Sequence, residues 1–261
     1  MSKYIIKDTT LTDIADAIRT RNSTTDLITV NNMASTIGDI VALIDYENNN
    51  ITSISDYAFY NADWLKSVSF PNATSIGKNA FRLCDNLTTV DLPLTTSIGE
   101  YAFYGCNKLE LAQMSTVNRI DKYAFMLCTS LKNIDLSVCT YVGVGAFYDT
   151  NLTIVKMPKA MNILGQAFSS CKNLTNVIIQ SNTYIDTAAF SGCSNLSAVV
   201  LSNTTSVSSI SQHSVFGNTP IANGTGYIYV PDSLVNSYKT ATTWSTYASQ
   251  IKPISEYTGE L

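Results

Sequence analysis

Charge is scarce in this 261-residue chain: Asp, Glu, Lys and Arg together make up 14% of it, and the one histidine is His213. The net charge is −4 and no run of Lys or Arg occurs, which excludes a nucleic-acid partner, because binding a phosphate backbone needs clustered cations. With a single histidine, set in a Ser/Thr-rich stretch, general acid–base chemistry lacks its commonest carrier. No apolar stretch reaches 18 residues, so membrane insertion by a helix is not expected. Six cysteines are present without a Cys-x-x-Cys pair, leaving no ligand spacing for a metal. Phosphate loops and dinucleotide fingerprints are absent too, so no cofactor is expected. The start, Met1 to Asp8, has neither an apolar core nor a small-residue cleavage site, so a secretory signal is not expected in this chain.

What is abundant is hydrophobic and hydroxyl-bearing. Hydrophobic residues make up 45%, so Ser, Thr, Asn and Tyr must cover most of the surface. An Ala-Phe dipeptide returns at Ala58-Phe59, Ala80-Phe81, Ala102-Phe103, Ala124-Phe125, Ala146-Phe147, Ala167-Phe168 and Ala189-Phe190, at intervals of 22, 22, 22, 22, 21 and 22 residues. A degenerate copy stands at Val215-Phe216. An aliphatic precedes each Ala by four residues (Ile54, Ile76, Ile98, Ile120, Val142, Ile163, Ile185) and a Leu follows each Phe by six, except Leu152, one residue early. Two apolar positions spaced by two come next, as in Val90/Leu92 and Val177/Ile179, which is strand periodicity. A fixed period of this length marks a solenoid whose coils bury one another's apolar faces. The expectation is about eight coils at roughly 4.8 Å spacing, with the phenylalanines in an interior column. Five cysteines (Cys84, Cys106, Cys128, Cys171, Cys193) share the position three after the Phe, and read as buried free thiols.

The unit Ile-x-x-x-Ala-Phe-x-x-Cys-x-x-Leu-x-x-Val-x-Leu-Pro, nearly complete from Ile76 to Pro93, resembles the BspA-type leucine-rich repeat of bacteria. The resemblance covers about 180 residues and departs from the pattern at Thr150, at Ala112 and Met114, and in the last copy. It implies parallel strands and an α+β leucine-rich-repeat solenoid. It also implies a non-enzymatic surface or adhesion protein, or a phage tail protein, since such repeats occur in both.

Flanking pieces are expected at both ends. Residues 1–45 read as two short amphipathic helices, one with Leu11, Ile14, Ala15 and Ile18 on a face, the other with Val30, Met33, Ile37, Ile40 and Val41; the repeats run over 46–226. The run from Asp8 to Arg19, with the later Ile28-Thr29 and Met33-Ala34, is similar to N-terminal modules of tail and baseplate-associated proteins of Gram-positive phages. Residues 227–261 read as a last strand, a helix capped by Asp232 or Ser233 and running through Trp244, and an aromatic closure. Ser202 to Ser214 reads as a solvated insertion.

Two surfaces are candidates for a partner. Residues flanking the inner strand aliphatic point outward: Asp91, Gln113, Asp135, Ile154, Lys156, Ile178 and Val200 mark that wall, with Ile154, Ile178 and Val200 an apolar patch of the kind that marks contacts. At the corners stand Tyr57, Tyr60, Tyr101, Tyr104, Tyr123 and Tyr148, a residue type suited to protein or sugar. The expected function is therefore non-enzymatic binding of a protein or cell-surface glycan on a phage tail, with other tail subunits or a second copy as further partners. The alternative is a bacterial cell-surface adhesin. A remoter one is glycan cleavage by a carboxylate pair such as Asp91 and Asp135.

Overall fold

The computed structural model describes residues 44–211 and 213–260. The helical hairpin expected within residues 1–45 thus lies outside the described residues, apart from Ile44 and Asp45. Those two open a strand, Ile44–Glu47, that pairs in parallel with Leu65–Ser69 and carries Tyr46 onto the first two phenylalanines, Phe59 and Phe70, at 5.6 and 5.5 Å.

Each coil has three sides. The first wall holds the longer strands, parallel and in order: Ile44–Glu47, Leu65–Ser69, Thr89–Asp91, Leu111–Gln113 and Asn133–Ile134, then Ile154–Met157, Asn176–Ile179, Ala198–Leu201, Tyr227–Val230 and Ile251–Pro253. The second wall is one unbroken parallel sheet of seven two-residue strands, from Ser75–Ile76 to Ser209–Ile210. The third side is a row of tight corners. Alternation within the first wall puts Val68, Val90, Val155, Val177 and Val199 inside, and neighbouring coils keep these residues in register, as with Val177 and Val199. A one-residue slip would turn every one of them outward.

The first wall is interrupted between Asn133–Ile134 and Ile154–Met157, which fall in separate sheets. The break coincides with the 21-residue interval, where one residue is missing between Phe147 and Leu152. Only Thr153 N–H to the Lys132 carbonyl, 3.2 Å, spans the gap among the backbone bonds described there.

Inside, Phe59, Phe81, Phe103, Phe125, Phe147, Phe168 and Phe190 form one column. Successive centroids lie 5.0 to 5.4 Å apart with ring planes within 9° of parallel, and Phe216 continues the column at 5.9 Å. All but Phe59 are fully buried, so truncating one to Ala costs about 3–5 kcal/mol. The cysteine column has a specific reason. Each thiol donates to the Phe carbonyl of the preceding coil: Cys84 to Phe59 (2.9 Å), Cys106 to Phe81 (3.0 Å), Cys128 to Phe103 (3.1 Å), Cys171 to Phe147 (3.1 Å) and Cys193 to Phe168 (3.0 Å). A small, weakly polar donor satisfies a buried acceptor there at little desolvation cost. Where Thr150 replaces Cys, its hydroxyl turns to its own coil's Phe147 carbonyl at 3.0 Å.

The C-terminal end differs from the expected long helix. The α-helix spans Val235–Thr240 only, because Ala241 adopts an extended conformation (ψ 133°), and Trp244–Tyr247 forms a separate 3-10 turn. No side-chain cap opens the helix; the Asp232 carboxylate instead accepts from Ser255 N–H at 3.2 Å. Tyr227–Val230 is followed by a further strand, Ile251–Pro253. The Ser202–Ser214 insertion is anchored at Ser208, while Thr204, Thr205, Ser209 and Ser214 are exposed as expected of a solvated insertion. Buried Ser208 donates its N–H to the Tyr238 hydroxyl (2.9 Å) and accepts from Trp244 Nε1 (2.6 Å). Trp244 and Tyr247 then close over Phe216 at 6.3 and 5.4 Å.

Candidate functional site

The outward columns of the first wall lie in the register expected from the repeat: Ser69, Asp91 and Gln113 adjoin in turn, as do Lys156, Ile178 and Val200. Gln113, Asp135, Ile154 and Lys156 are exposed and Asp91 is half-exposed. The apolar patch requires correction. Ile154 is 48% exposed, whereas Ile178 and Val200 are buried, at 3% and 0%. The C-terminal tail covers them. The Tyr257 ring lies 5.0 Å from Tyr229, and its hydroxyl accepts from Asn176 Nδ2 at 2.9 Å, two strands away. Tyr257 therefore spans the strand Ala198–Leu201 that carries Val200. The wall that remains open is mostly polar.

The corners are brought together in a way the wall is not. Each corner has two residues in the left-handed region, two before and two after the Phe. The first set is Tyr57 (φ 59°), Asn79 (55°), Tyr101 (57°), Tyr123 (59°), Gly145 (57°), Gln166 (59°) and Ala188 (55°). The alternation turns backbone N–H groups toward the next coil, as in Phe59 N–H to the Ala80 carbonyl (2.7 Å) and Asn61 N–H to the Arg82 carbonyl (2.8 Å). It also throws two side-chain columns onto one shelf: Tyr57, Asn79, Tyr101, Tyr123, Gly145 and Gln166 two before the Phe, and Tyr60, Arg82, Tyr104, Met126 and Tyr148 one after it. Tyr57 and Tyr60 lie 5.9 Å apart and Tyr101 and Tyr104 5.7 Å, while Tyr101 and Tyr123 stack at 5.0 Å. Gly145 is required here, since a Cβ on it would sit 2.7 Å from the Tyr123 ring. Five of the six tyrosines expected at the corners, Tyr57, Tyr101, Tyr104, Tyr123 and Tyr148, thus line one open groove of about 690 Å³ that reaches Gln166, and Tyr60 stands beside it against Tyr57.

Sequence reasoning passed over Arg82, although it occupies the same repeat position as Tyr60, Tyr104 and Tyr148, and that shared offset from the Phe was the available signal. Its guanidinium lies 4.9 Å from the Tyr104 ring centroid, 5.3 Å from Tyr101 and 6.0 Å from Tyr60, within cation–π range. Nη1 donates to Asn79 Oδ1 at 3.2 Å. Alongside, Glu100 bridges Lys122 (2.8 Å) and Lys78 (3.2 Å); the hydrogen bond from Lys122 is the main cause holding its carboxyl below the usual range.

For hydrolysis the geometry offers little. Asp91 accepts from Ser69 Oγ (3.2 Å) and Asp135 from Ser137 N–H (2.9 Å), each in a local structural bond. Among the described residues no group of three His, Cys, Asp or Glu side chains could hold a metal, and no helix is long and apolar enough to cross a membrane.

The family described as BspA type leucine rich repeat region matches residues 52–175 and 160–241, in six copies. No curated protein matches. Among solved structures, a leucine rich repeat protein of T. pallidum shares 24% identity and a TM-score of 0.51, over 60% of this chain and 78% of that one. A leucine-rich repeat protein from Bacteroides ovatus shares 23% identity and a TM-score of 0.47, over 65% of this chain and 48% of its own length. A leucine rich cell surface protein from Faecalibacterium prausnitzii shares 17% identity over 80% of this chain and 83% of that one, with a TM-score of 0.30. The chain thus spans about half the length of the Bacteroides protein.

Proposed function

Since the chain belongs to the BspA-type leucine-rich repeat family, we propose that it is a non-enzymatic recognition protein that attaches to a cell surface through the tyrosine shelf at its corners. One observation carries this reading. Tyr57, Tyr101 and Tyr123 hold left-handed backbone at a position where other coils have Asn79, Gly145, Gln166 and Ala188. That conformation, which each of these corners adopts, costs a residue with a Cβ about 1–2 kcal/mol, and the other coils show that no tyrosine ring is needed to form it. Strain of this kind collects where a surface is used, and half-exposed, rigid tyrosines are inexpensive contact groups. The solenoid supports the reading by holding the rings on a stacked frame rather than on mobile loops.

The finer reading, in which the solenoid is carried on a phage tail, rests on the resemblance of residues 8–34 to tail-protein modules. It expects tail or baseplate genes as neighbours and the chain in purified particles by mass spectrometry; a neighbourhood of export genes would favour a cell-surface adhesin instead. Attachment itself is tested with labelled full-length protein on bacterial cells and on extracellular matrix. The double variant Tyr104→Ala/Tyr148→Ala should lower binding at least tenfold, while Ile154→Asp on the wall should not. The reverse pattern would move the site to the wall.

A further inference from the structure

The shelf has one cation whose charge nothing answers. Lys78 and Arg82 line the groove and no acidic residue does, in a chain whose net charge is −4. Lys78 is paired with Glu100, which also holds Lys122. Arg82 has no carboxylate partner among the described residues. Its single hydrogen bond is to the neutral amide of Asn79, and its Nε is buried without a hydrogen-bond partner. A guanidinium held among three rings is an orienting arrangement as much as a packing one. It fixes the planar fork that pairs with a carboxylate through two parallel N–H···O bonds.

Resting on the reading of the shelf as the recognition face, we propose that its ligand is an acidic polysaccharide. The half-exposed tyrosine rings supply apolar faces for the C–H sides of sugar rings. Exposed Gln166, on the same groove, offers an amide to hydroxyls, buried Asn79 holds Arg82 in place, and Arg82 takes a carboxylate. The polymer runs along the rod, because one column extends over six successive coils, from Tyr57 to Gln166, and the other over five, from Tyr60 to Tyr148. A proline-rich peptide would use the aromatic faces but leave the guanidinium idle.

Calorimetry on the full-length chain tests this with polygalacturonate and hyaluronan as acidic polymers, methyl-esterified polygalacturonate and dextran as neutral ones, and a polyproline peptide. Wild type should bind an acidic polymer at least tenfold more tightly than the neutral ones, and less tightly as salt rises. Arg82→Gln should remove that tenfold preference, Arg82→Lys should restore part of it, and Tyr104→Ala should weaken acidic and neutral binding together. Circular dichroism confirms that each variant is folded. Equal affinity for acidic and neutral polymers, no affinity for any, an unaffected Arg82→Gln, or binding of the peptide alone would each overturn the proposal. If cell attachment still depends on Tyr104 while no polymer binds, the glycan assignment falls and the shelf stands; if attachment is indifferent to Tyr104, both fall.

Discussion

At the scale of single residues the informative contrast is between side chains the fold needs and side chains it merely tolerates. The stacked phenylalanines and the thiol donors belong to the first kind. Tyr57, 48% exposed at φ 59°, belongs to the second. Replacing Tyr57 by Asn, the residue that position holds in the next coil, should leave stability unchanged or raise it by up to about 1 kcal/mol, because Asn tolerates left-handed backbone. The same change should weaken attachment, so urea unfolding and binding should move in opposite directions; a loss of stability would show the ring to be structural.

The buried thiols set an alkaline limit. Burial pushes Cys106 and Cys128 well above the ordinary thiol range and Cys139 up to about 11, and it raises Tyr238 and Tyr247 as well. A folded-state pKa above the unfolded value means that the folded chain keeps protons the unfolded chain gives up. Stability is therefore whole below about pH 9, the ordinary thiol value, and falls as pH rises from there. Unfolding midpoints measured from pH 7 to 11 should hold and then drop. A flat profile would mean these groups are open to water.

Among elements, the C-terminal tail decides how much of the first wall is open. Tyr257 lies across the strand carrying Val200 and is tied to Asn176. Tyr257→Ala should uncover Ile178 and Val200, raise binding of a hydrophobic dye, and lower stability by about 1–2 kcal/mol through lost burial and one lost hydrogen bond. Unchanged dye binding would show that the tail is not the cover. The anchored insertion makes the same point at the rod's end. A stretch rich in Ser and Thr reads as solvated from composition, yet Ser208 is buried because its backbone meets Tyr238 and Trp244.

For the whole molecule, the first wall breaks at the short coil while the second continues past it. Exposed backbone bonds at such a joint open more readily than those inside a continuous ladder. Native-state hydrogen exchange should find the amides of Asn133–Ile134 and Ile154–Met157 less protected than those of Asn176–Ile179, with the second wall bridging the joint. Uniform protection along the first wall would mean that the break has no mechanical consequence.

The period, the inward columns and the strand register could all be read from the amino-acid order, because a 22-residue repeat with two-residue alternation leaves one way to hide its apolar side chains. The 21-residue interval was visible as well, though not the break in the ladder that coincides with it. What the tertiary structure alone decided is the character of the surface. Ile178 and Val200 are outward in every local sense yet buried, beside a tail whose contact with Asn176 spans 81 residues. Arg82 and the tyrosines become one shelf because left-handed corners, which local propensity disfavours for residues with a Cβ, are held in place by hydrogen bonds to the next coil. Local pattern determines which face is inside; contacts distant in sequence determine which part of the outside is left free.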